Sequence, residues 1–174
     1  MKGTASARKD PVVAVVLAGG VGERTGLSLP KQLIRIAGKP VIEHTIAALE
    51  ESGEFDEIIV MMAPGYETPV QQILDSGAYP AFRAVYSGGQ RRNDTSALAV
   101  QLLLRDHPRQ TKVLFHDAVR PFIDPQTLHR LVDALEGADA ADTVIPSADT
   151  LVEVDEHADI LAIPNRSRFR RGQT

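Results

Sequence analysis

The sequence predicts an α/β domain with a largely parallel, doubly wound sheet. Apolar runs of strand length alternate along the chain with segments whose apolar residues recur at helical spacing. The helical segments also carry start and stop signals, among them Pro40, Asp124 and Gly137. Strands separated by helices of this length pair in parallel, with helices covering the sheet.

Each element follows from its local pattern. The apolar runs of strand length lie at residues 12–17, 57–62, 81–86, 111–115 and 142–146. The segments with helical periodicity lie at residues 40–52, 68–76, 93–106 and 125–136. In the first of these helices Ile42, Ile46 and Leu49 share one face, which is therefore expected to pack on the sheet.

The composition is typical of a soluble globular domain, with 174 residues, 43% hydrophobic and 24% charged. A formal net charge of −4 argues against broad nucleic-acid binding, which needs a basic footprint. The absence of cysteine excludes disulfides, thiolate metal sites and a cysteine nucleophile. No apolar run approaches membrane-spanning length, and residues 1–10 lack the apolar core of a secretory signal, so a cytoplasmic location is expected.

A glycine-rich turn follows directly on the first predicted strand. Its glycines include Gly19, Gly20 and Gly22, and the cations Arg24 and Lys31 come shortly afterwards. Glycines let backbone N–H groups close around an anion, and the two cations supply charge for phosphate oxygens. The pattern predicts a site for nucleotide phosphates, although a turn that needs glycine only for its geometry is the structural alternative.

The sequence lacks two related glycine motifs that bind nucleotide phosphates. A strict G-x-G-x-x-G would need glycine where Thr25 stands, and the P-loop sequence is also absent.

The polar segments 19–24, 88–92 and 116–120 each follow a predicted strand, so all three are expected at the carboxyl edge of the sheet. His116, in the last segment, has a structural and a functional interpretation that the sequence leaves open.

The chain is expected to have three parts. Residues 1–10 are predicted to form a flexible N-terminus, and residues 11–146 the α/β nucleotide-binding domain. Polar and apolar residues alternate over residues 147–163, which indicates that residues 147–174 form an extended arm rather than a core helix.

The motifs together resemble the polyol-phosphate cytidylyltransferases, which act on 2-C-methyl-D-erythritol 4-phosphate or ribitol 5-phosphate. The resemblance rests on the segments LAGGVGER (17–24), PKQ (30–32), GGQRRNDT (88–95) and HDAVRP (116–121), and it runs from about residue 13 to residue 174. It implies a Rossmann-like fold of the nucleotide-diphospho-sugar transferase kind. It also implies transfer of CMP from CTP to a polyol phosphate, with Mg²⁺ and in a homodimer.

The resemblance also implies roles for individual residues on the CTP side. Arg24 and Lys31 match the residues that grip the triphosphate and stabilise the transferring phosphorus. Asp117 matches a carboxylate beside CTP that contacts the second substrate and the Mg²⁺ environment. The positions expected to hold the nucleotide are Ala18, Gly19, Gly20 and Gly22 for the cytidine and phosphates, and Gly89, Gln90 and Thr95 for cytosine and ribose.

On the acceptor side, Thr150, Arg166 and Thr174 match positions on the arm that contact the polyol phosphate, reaching into the partner subunit's site. The arm is accordingly expected to form the dimer. The family continues past the equivalent of residues 172–174, with a Pro-Gln pair and a later lysine, so the chain is expected to be truncated at its C-terminus.

The choice of acceptor follows from finer details of the motifs. Leu17 at the start of the loop, together with segments 92–95 and 117–122, resembles the ribitol-phosphate branch more than the methylerythritol branch. Ribitol 5-phosphate is therefore the expected acceptor. Methylerythritol phosphate is the alternative, and a nucleotide-binding module without turnover is the second alternative.

Overall fold

The computed structural model describes residues 10–20 and 29–172. A four-stranded parallel sheet forms its centre, with the strands in the spatial order Phe82–Ser87, Glu57–Met62, Val12–Ala18 and Lys112–Asp117. The elements in chain order are β1 (Val12–Ala18), β2 (Arg35–Ile36), β3 (Lys39–Pro40), α1 (Val41–Ser52), β4 (Glu57–Met62), α2 (Glu67–Asp75), β5 (Phe82–Ser87), α3 (Arg92–Asp106), β6 (Lys112–Asp117), α4 (Pro125–Ala134), β7 (Val144–Pro146), β8 (Glu153–Val154), β9 (Ile160–Ala162) and β10 (Arg170–Gly172).

Strand β1 is buried on both faces and pairs in parallel with β4 on one side and β6 on the other. Its even-numbered residues pack with buried side chains of α1, α2 and α4, whereas Val13 and Val15 pack with Ala99 and Leu103 of α3. Helices therefore cover both faces of the parallel sheet. The predicted fold class is confirmed, because alternating apolar and helical segments do produce this arrangement.

The helix boundaries lie within a few residues of the predicted ones. Pro40 is the N-cap of α1, and Gly53 ends that helix with φ of 67°, a left-handed conformation that glycine adopts without strain. Asp124 caps α4 as predicted, since its carboxylate accepts a hydrogen bond from the Thr127 N–H. Helix α4 ends at Ala134, earlier than Gly137 indicated.

The strand predicted at residues 142–146 does not join the central sheet. Its ordered part, β7, instead pairs antiparallel with β10 in a separate two-stranded sheet. A strand within a parallel sheet is buried on both faces and needs a nearly continuous apolar sequence. This segment supplies only Val144 and Ile145 between Thr143 and Pro146, and all of β7 is exposed.

The segment predicted to be an extended arm contains no α-helix over its described residues, 147–172. Strands β8 and β9 form an antiparallel hairpin, and a short 3₁₀ turn spans Arg166–Arg168. Within the described part of the chain, no helix has the length and apolar character needed to cross a membrane.

Candidate nucleotide-binding site

A cavity of about 200 Å³ lies at the carboxyl edge of the central sheet. The residues that line it are 17–20, 31–32, 90–92, 95 and 117–119. The fold therefore brings together the ends of β1 and β6, the loop before α3 and the turn that carries Lys31. Gly22, Arg24 and Thr174, which the resemblance assigns to the site, lie outside the described residues.

The end of β1 forms the floor of the cavity. The buried carbonyl of Ala18 accepts hydrogen bonds from the Ala63 backbone N–H (3.3 Å) and from the Gln32 side-chain amide (2.6 Å). A Cβ atom at Gly19 would stand 3.2 Å from the Thr95 hydroxyl oxygen, so glycine allows α3 to approach the strand closely. Gly20 is exposed, with open space where a side chain would be.

Thr95, in the first turn of α3, holds the loop that precedes the helix. Its side chain is nearly inaccessible, with the residue 2% exposed. The hydroxyl oxygen accepts from the Gly89 N–H (3.0 Å), and the hydroxyl donates to the Arg91 carbonyl (3.1 Å). The Thr95 side chain, which the resemblance assigns to nucleotide binding, thus uses its hydroxyl to hold residues 89–91 in place. Gln90, between them, is exposed on the cavity wall.

The two glycines of this loop stand where an added Cβ atom would meet close neighbours. A Cβ atom at Gly88 would lie 3.1 Å from the Met62 carbonyl oxygen and from Thr95, and one at Gly89 would lie 2.5 Å from Asp94 Cβ. The Gly88 N–H also donates to that Met62 carbonyl (2.6 Å), which attaches the loop to the end of β4. The structure therefore gives these glycines a steric reason, in addition to the nucleotide contact that the resemblance implies for Gly89.

Asp117, at the end of β6, is clamped between two arginines. One carboxylate oxygen lies 2.8 Å from Arg92 Nη1, and the other accepts from Arg120 Nε at 3.2 Å. The Asp117 side chain is only 16% exposed, whereas both arginines are considerably more accessible. Arg120 was not among the predicted site residues; its spacing of three residues after Asp117 was the signal that could have identified it.

The described charges of the site favour a polyanion. Among the described residues that line this cavity, Lys31, Arg91 and Arg92 are cationic and Asp117 is acidic, and Arg120 bonds to the same carboxylate. Although the whole chain is acidic, the local excess of positive charge is suited to a triphosphate. Arginine is also able to bind phosphate oxygens through paired donors once it is released from a carboxylate.

A Mg²⁺ ion, which the resemblance implies, finds no complete set of protein ligands here. Among residues 10–20 and 29–172, no group of three or more His, Asp or Glu side chains is placed to hold a metal. Both oxygens of Asp117 are already bonded to arginines. The donor set fits a Mg²⁺ that arrives on the nucleotide phosphates with one carboxylate nearby, a common mode of binding for this ion.

A second, larger cavity of about 700 Å³ adjoins the first. Lys31 and Val119 line both cavities, while Ile36, Arg120 and Phe122 line only the second. Phe122 is fully exposed. Lys31 thus stands between a small polar cavity and a wider one with apolar walls, an arrangement suited to a group that bridges two substrates.

His116 is buried beneath the turn that carries Arg120. Its Nε2 atom lies 2.9 Å from the Arg120 carbonyl oxygen, a hydrogen bond that fixes the turn after β6. Burial lowers the pKa of this imidazole, outweighing the opposing effects of the backbone hydrogen bond and of Asp117. The geometry favours the structural interpretation of His116, as a neutral ring that shapes the site.

The predicted acceptor residues of the arm lie apart from both cavities. Thr150 is exposed, and neither it nor Arg166 is among the residues that line either cavity. The Arg166 Nη1 donates to the Ala148 carbonyl at 3.1 Å, within the arm itself. Their proposed role in a partner subunit's site stays a prediction.

These features define an α/β domain with a cationic site at the carboxyl edge of its parallel sheet. The family model described as 2-C-methyl-D-erythritol 4-phosphate cytidylyltransferase (IspD) matches residues 12–174. The chain therefore belongs to the IspD family of cytidylyltransferases.

Two curated relatives represent both branches of the resemblance. The chain is 36% identical over 167 residues to the bifunctional ribulose 5-phosphate reductase/CDP-ribitol pyrophosphorylase of Haemophilus influenzae, covering 95% of this chain and 35% of that protein. It is 37% identical over 171 residues to the 2-C-methyl-D-erythritol 4-phosphate cytidylyltransferase of Thermobifida fusca, covering 96% of this chain and 68% of that protein.

A solved structure shares the fold. The 4-diphosphocytidyl-2C-methyl-D-erythritol synthase of Anaerococcus prevotii superposes with a TM-score of 0.78 at 26% identity, covering 95% of this chain and 69% of that one. The chain thus spans about a third of the bifunctional relative's length and about two thirds of the length of the single-function relatives.

Removal of the Thr95 hydroxyl should weaken nucleotide binding. In Thr95→Val the Gly89 N–H loses its hydrogen bond to the hydroxyl, and the Arg91 carbonyl keeps only the bond from the Thr95 backbone N–H, which together costs about 1–3 kcal/mol. We expect the dissociation constant for CTP, measured by calorimetry, to rise about tenfold. Thr95→Ser keeps the hydroxyl and serves as the matched control, with a rise of less than about threefold. Equal weakening by both variants would contradict the role of the hydroxyl.

The buried imidazole should make stability depend on pH. Because burial lowers the pKa of His116 below 6.5 in the folded chain, the unfolded chain binds that proton more readily. This contribution is intact above about pH 6.5 and is lost as the pH falls toward the folded-state pKa. His116→Gln should therefore lose less free energy of unfolding than the wild type between about pH 7 and pH 5. Equal losses in urea denaturation would show that His116 contributes nothing to this dependence.

Proposed function

We propose that the chain transfers CMP from CTP to a polyol phosphate and releases pyrophosphate. The observation that carries the proposal is the position of Lys31 on the border of two adjoining cavities, one formed by the glycine-rich strand end and the Thr95 loop, the other by Arg120 and Phe122. The first cavity suits the nucleotide and the second the acceptor. Membership in the IspD family supports this assignment.

The chemistry requires charge stabilisation more than proton transfer. A phosphate oxygen of the acceptor attacks the α-phosphorus of CTP, and the bond from that phosphorus to the β-phosphate bridging oxygen breaks. The electron pair leaves with pyrophosphate. Because the attacking oxygen is already ionised near neutral pH, no general base is needed. The chain's task is to hold two polyanions together and to stabilise charge at the transferring phosphorus.

Individual cations share that task in our proposal. Lys31 contacts the α-phosphate from the border of the two cavities, and Arg24 also binds the triphosphate, as the resemblance implies. Arg92 and Arg120 hold Asp117 in place before the substrates bind, at 2.8 and 3.2 Å. When bound, Mg²⁺ would offset charge on the triphosphate, with Asp117 as the nearest protein carboxylate.

Ribitol 5-phosphate is the acceptor that we propose, on the strength of Leu17 and segments 92–95 and 117–122. The similarity to a protein named as a CDP-ribitol pyrophosphorylase supports this choice. Methylerythritol phosphate is the second candidate, because the family model and the Thermobifida fusca relative carry that name. The two acceptors differ in carbon skeleton and share the phosphate group that reacts.

A homodimer through the arm completes the proposal. The arm exposes large apolar side chains that a single chain leaves in water: Val152, Val154, Ile160, Leu161 and Ile163. Such a concentration of exposed apolar surface is typical of an interface. A second copy of the chain would cover it, and would bring Thr150 and Arg166 of each arm toward the site of the other subunit.

Pyrophosphate release from CTP and Mg²⁺ tests both the reaction and the acceptor. We expect release with ribitol 5-phosphate at a kcat/KM at least about tenfold above that with methylerythritol phosphate, and no release without acceptor. Lys31→Ala should lower kcat/KM at least about 100-fold, because it removes charge stabilisation at the phosphorus. Removal of Mg²⁺ with a chelator should abolish turnover.

The outcomes separate the candidates. A preference for methylerythritol phosphate would contradict the proposed acceptor and leave the reaction intact. CTP binding without pyrophosphate release, with either acceptor, would contradict the reaction and favour the binding module.

A further inference from the structure

We infer that Gln32 is the positioning residue of Lys31, tying this lysine to the end of β1 through a buried hydrogen bond. The inference rests on the proposed function, in which Lys31 contacts the transferring phosphate. Gln32 lines part of the nucleotide cavity, but the task inferred for it is to position its neighbour, Lys31, rather than to bind the transferring phosphate.

The Gln32 side chain points away from the solvent although Lys31 beside it is exposed. Both belong to the short 3₁₀ turn Lys31–Leu33, and Gln32 is only 1% exposed. Its Nε2 donates to the Ala18 carbonyl at 2.6 Å and lies 3.8 Å from Met62 Sδ. The amide is therefore inserted between the carboxyl ends of β1 and β4.

The buried amide of Gln32 has a specific role beyond filling space in the interior. Burial of an amide costs free energy unless its polar atoms are hydrogen-bonded, whereas leucine or methionine would fill the same space without that cost. The acceptor, Ala18, is the residue that immediately precedes Gly19 and Gly20. The bond therefore joins the lysine turn to the start of the glycine-rich segment, which lies 14 residues earlier in the sequence.

Apart from the Gln32 bond, the described hydrogen bonds of the turn lie within it or attach its end to α1, where the Val41 N–H donates to the Ile34 carbonyl at 2.9 Å. Leu33 N–H to the Pro30 carbonyl (2.9 Å) and Ile34 N–H to the Lys31 carbonyl (3.3 Å) are bonds within the turn. Leu33 packs into the core, but apolar packing has no preferred direction. The Gln32 bond is directional, and it sets where the flexible Lys31 side chain starts. A shift of about 1 Å in such a group can cost about 100-fold in rate.

A double-mutant cycle separates positioning from stability. The variants are Gln32→Met, Lys31→Ala and the double variant, and Gln71→Met is the matched control. Gln71 also bonds a backbone group, the Val85 N–H at 2.8 Å, but it lies on α2 and lines neither cavity. Pyrophosphate release gives kcat and KM, calorimetry gives the dissociation constant for CTP, and thermal unfolding identifies a temperature at which each variant is folded.

We expect Gln32→Met to lower kcat/KM about 10- to 100-fold in the wild-type background and less than about twofold in the Lys31→Ala background. Gln71→Met should leave kcat/KM within about twofold of the wild type. Equal factors in the two backgrounds would overturn the inference, as would an unchanged kcat/KM in Gln32→Met. If Gln32→Met does not fold, Gln32→Leu replaces it, and failure of both to fold would make Gln32 a purely structural residue and overturn the inference.

The test remains informative if the proposed reaction fails. A wild-type protein that binds CTP without releasing pyrophosphate would contradict the proposed function alone. The same cycle is then applied to the dissociation constant for CTP, where Gln32→Met should weaken binding about tenfold only when Lys31 is present. Equal weakening in both backgrounds would overturn the inference.

Discussion

The pairing of β1 with a strand on each side is the constraint on which the site depends. Because β1 is buried on both faces and bonded along both edges, its end at Ala18 has a fixed place in the molecule. The glycine-rich segment starts there, the lysine turn is bonded there, and the Thr95 side chain packs against it. The loops around the site thus take their positions from a central, buried strand of the sheet.

The electrostatics of the site are prepared before any substrate binds. Asp117 neutralises part of the charge of Arg92 and Arg120 and holds these long side chains near the cavity. Without the carboxylate, the cations would repel one another and extend into water. A bound triphosphate can compete with Asp117 for the same guanidinium groups. Asp117 therefore keeps the two arginines near the cavity until a more highly charged anion replaces it as their partner.

Much of this architecture could be predicted from the sequence, because strand and helix periodicity and glycine position are local signals. The class of fold, the order of the central elements along the chain and the position of three segments at one edge of the sheet were predicted from such signals. The separate pairing of β7 was not predicted, because an apolar run of strand length does not show which strand is its partner. The Gln32 anchor was also missed, since this contact exists only in the folded chain. The bond between Arg120 and Asp117 was missed although their spacing of three residues was a signal for it.

Amide hydrogen exchange on the protein with and without CTP and Mg²⁺ tests the placement of the nucleotide site most directly. We expect protection to rise at residues 18–20, 89–95 and 117–120, which line the proposed nucleotide cavity or flank it. Residues 153–162 of the arm, measured in the same experiment, should show no comparable change. Protection confined to the arm, or none at the sheet edge despite measured CTP binding, would contradict the placement of the nucleotide site.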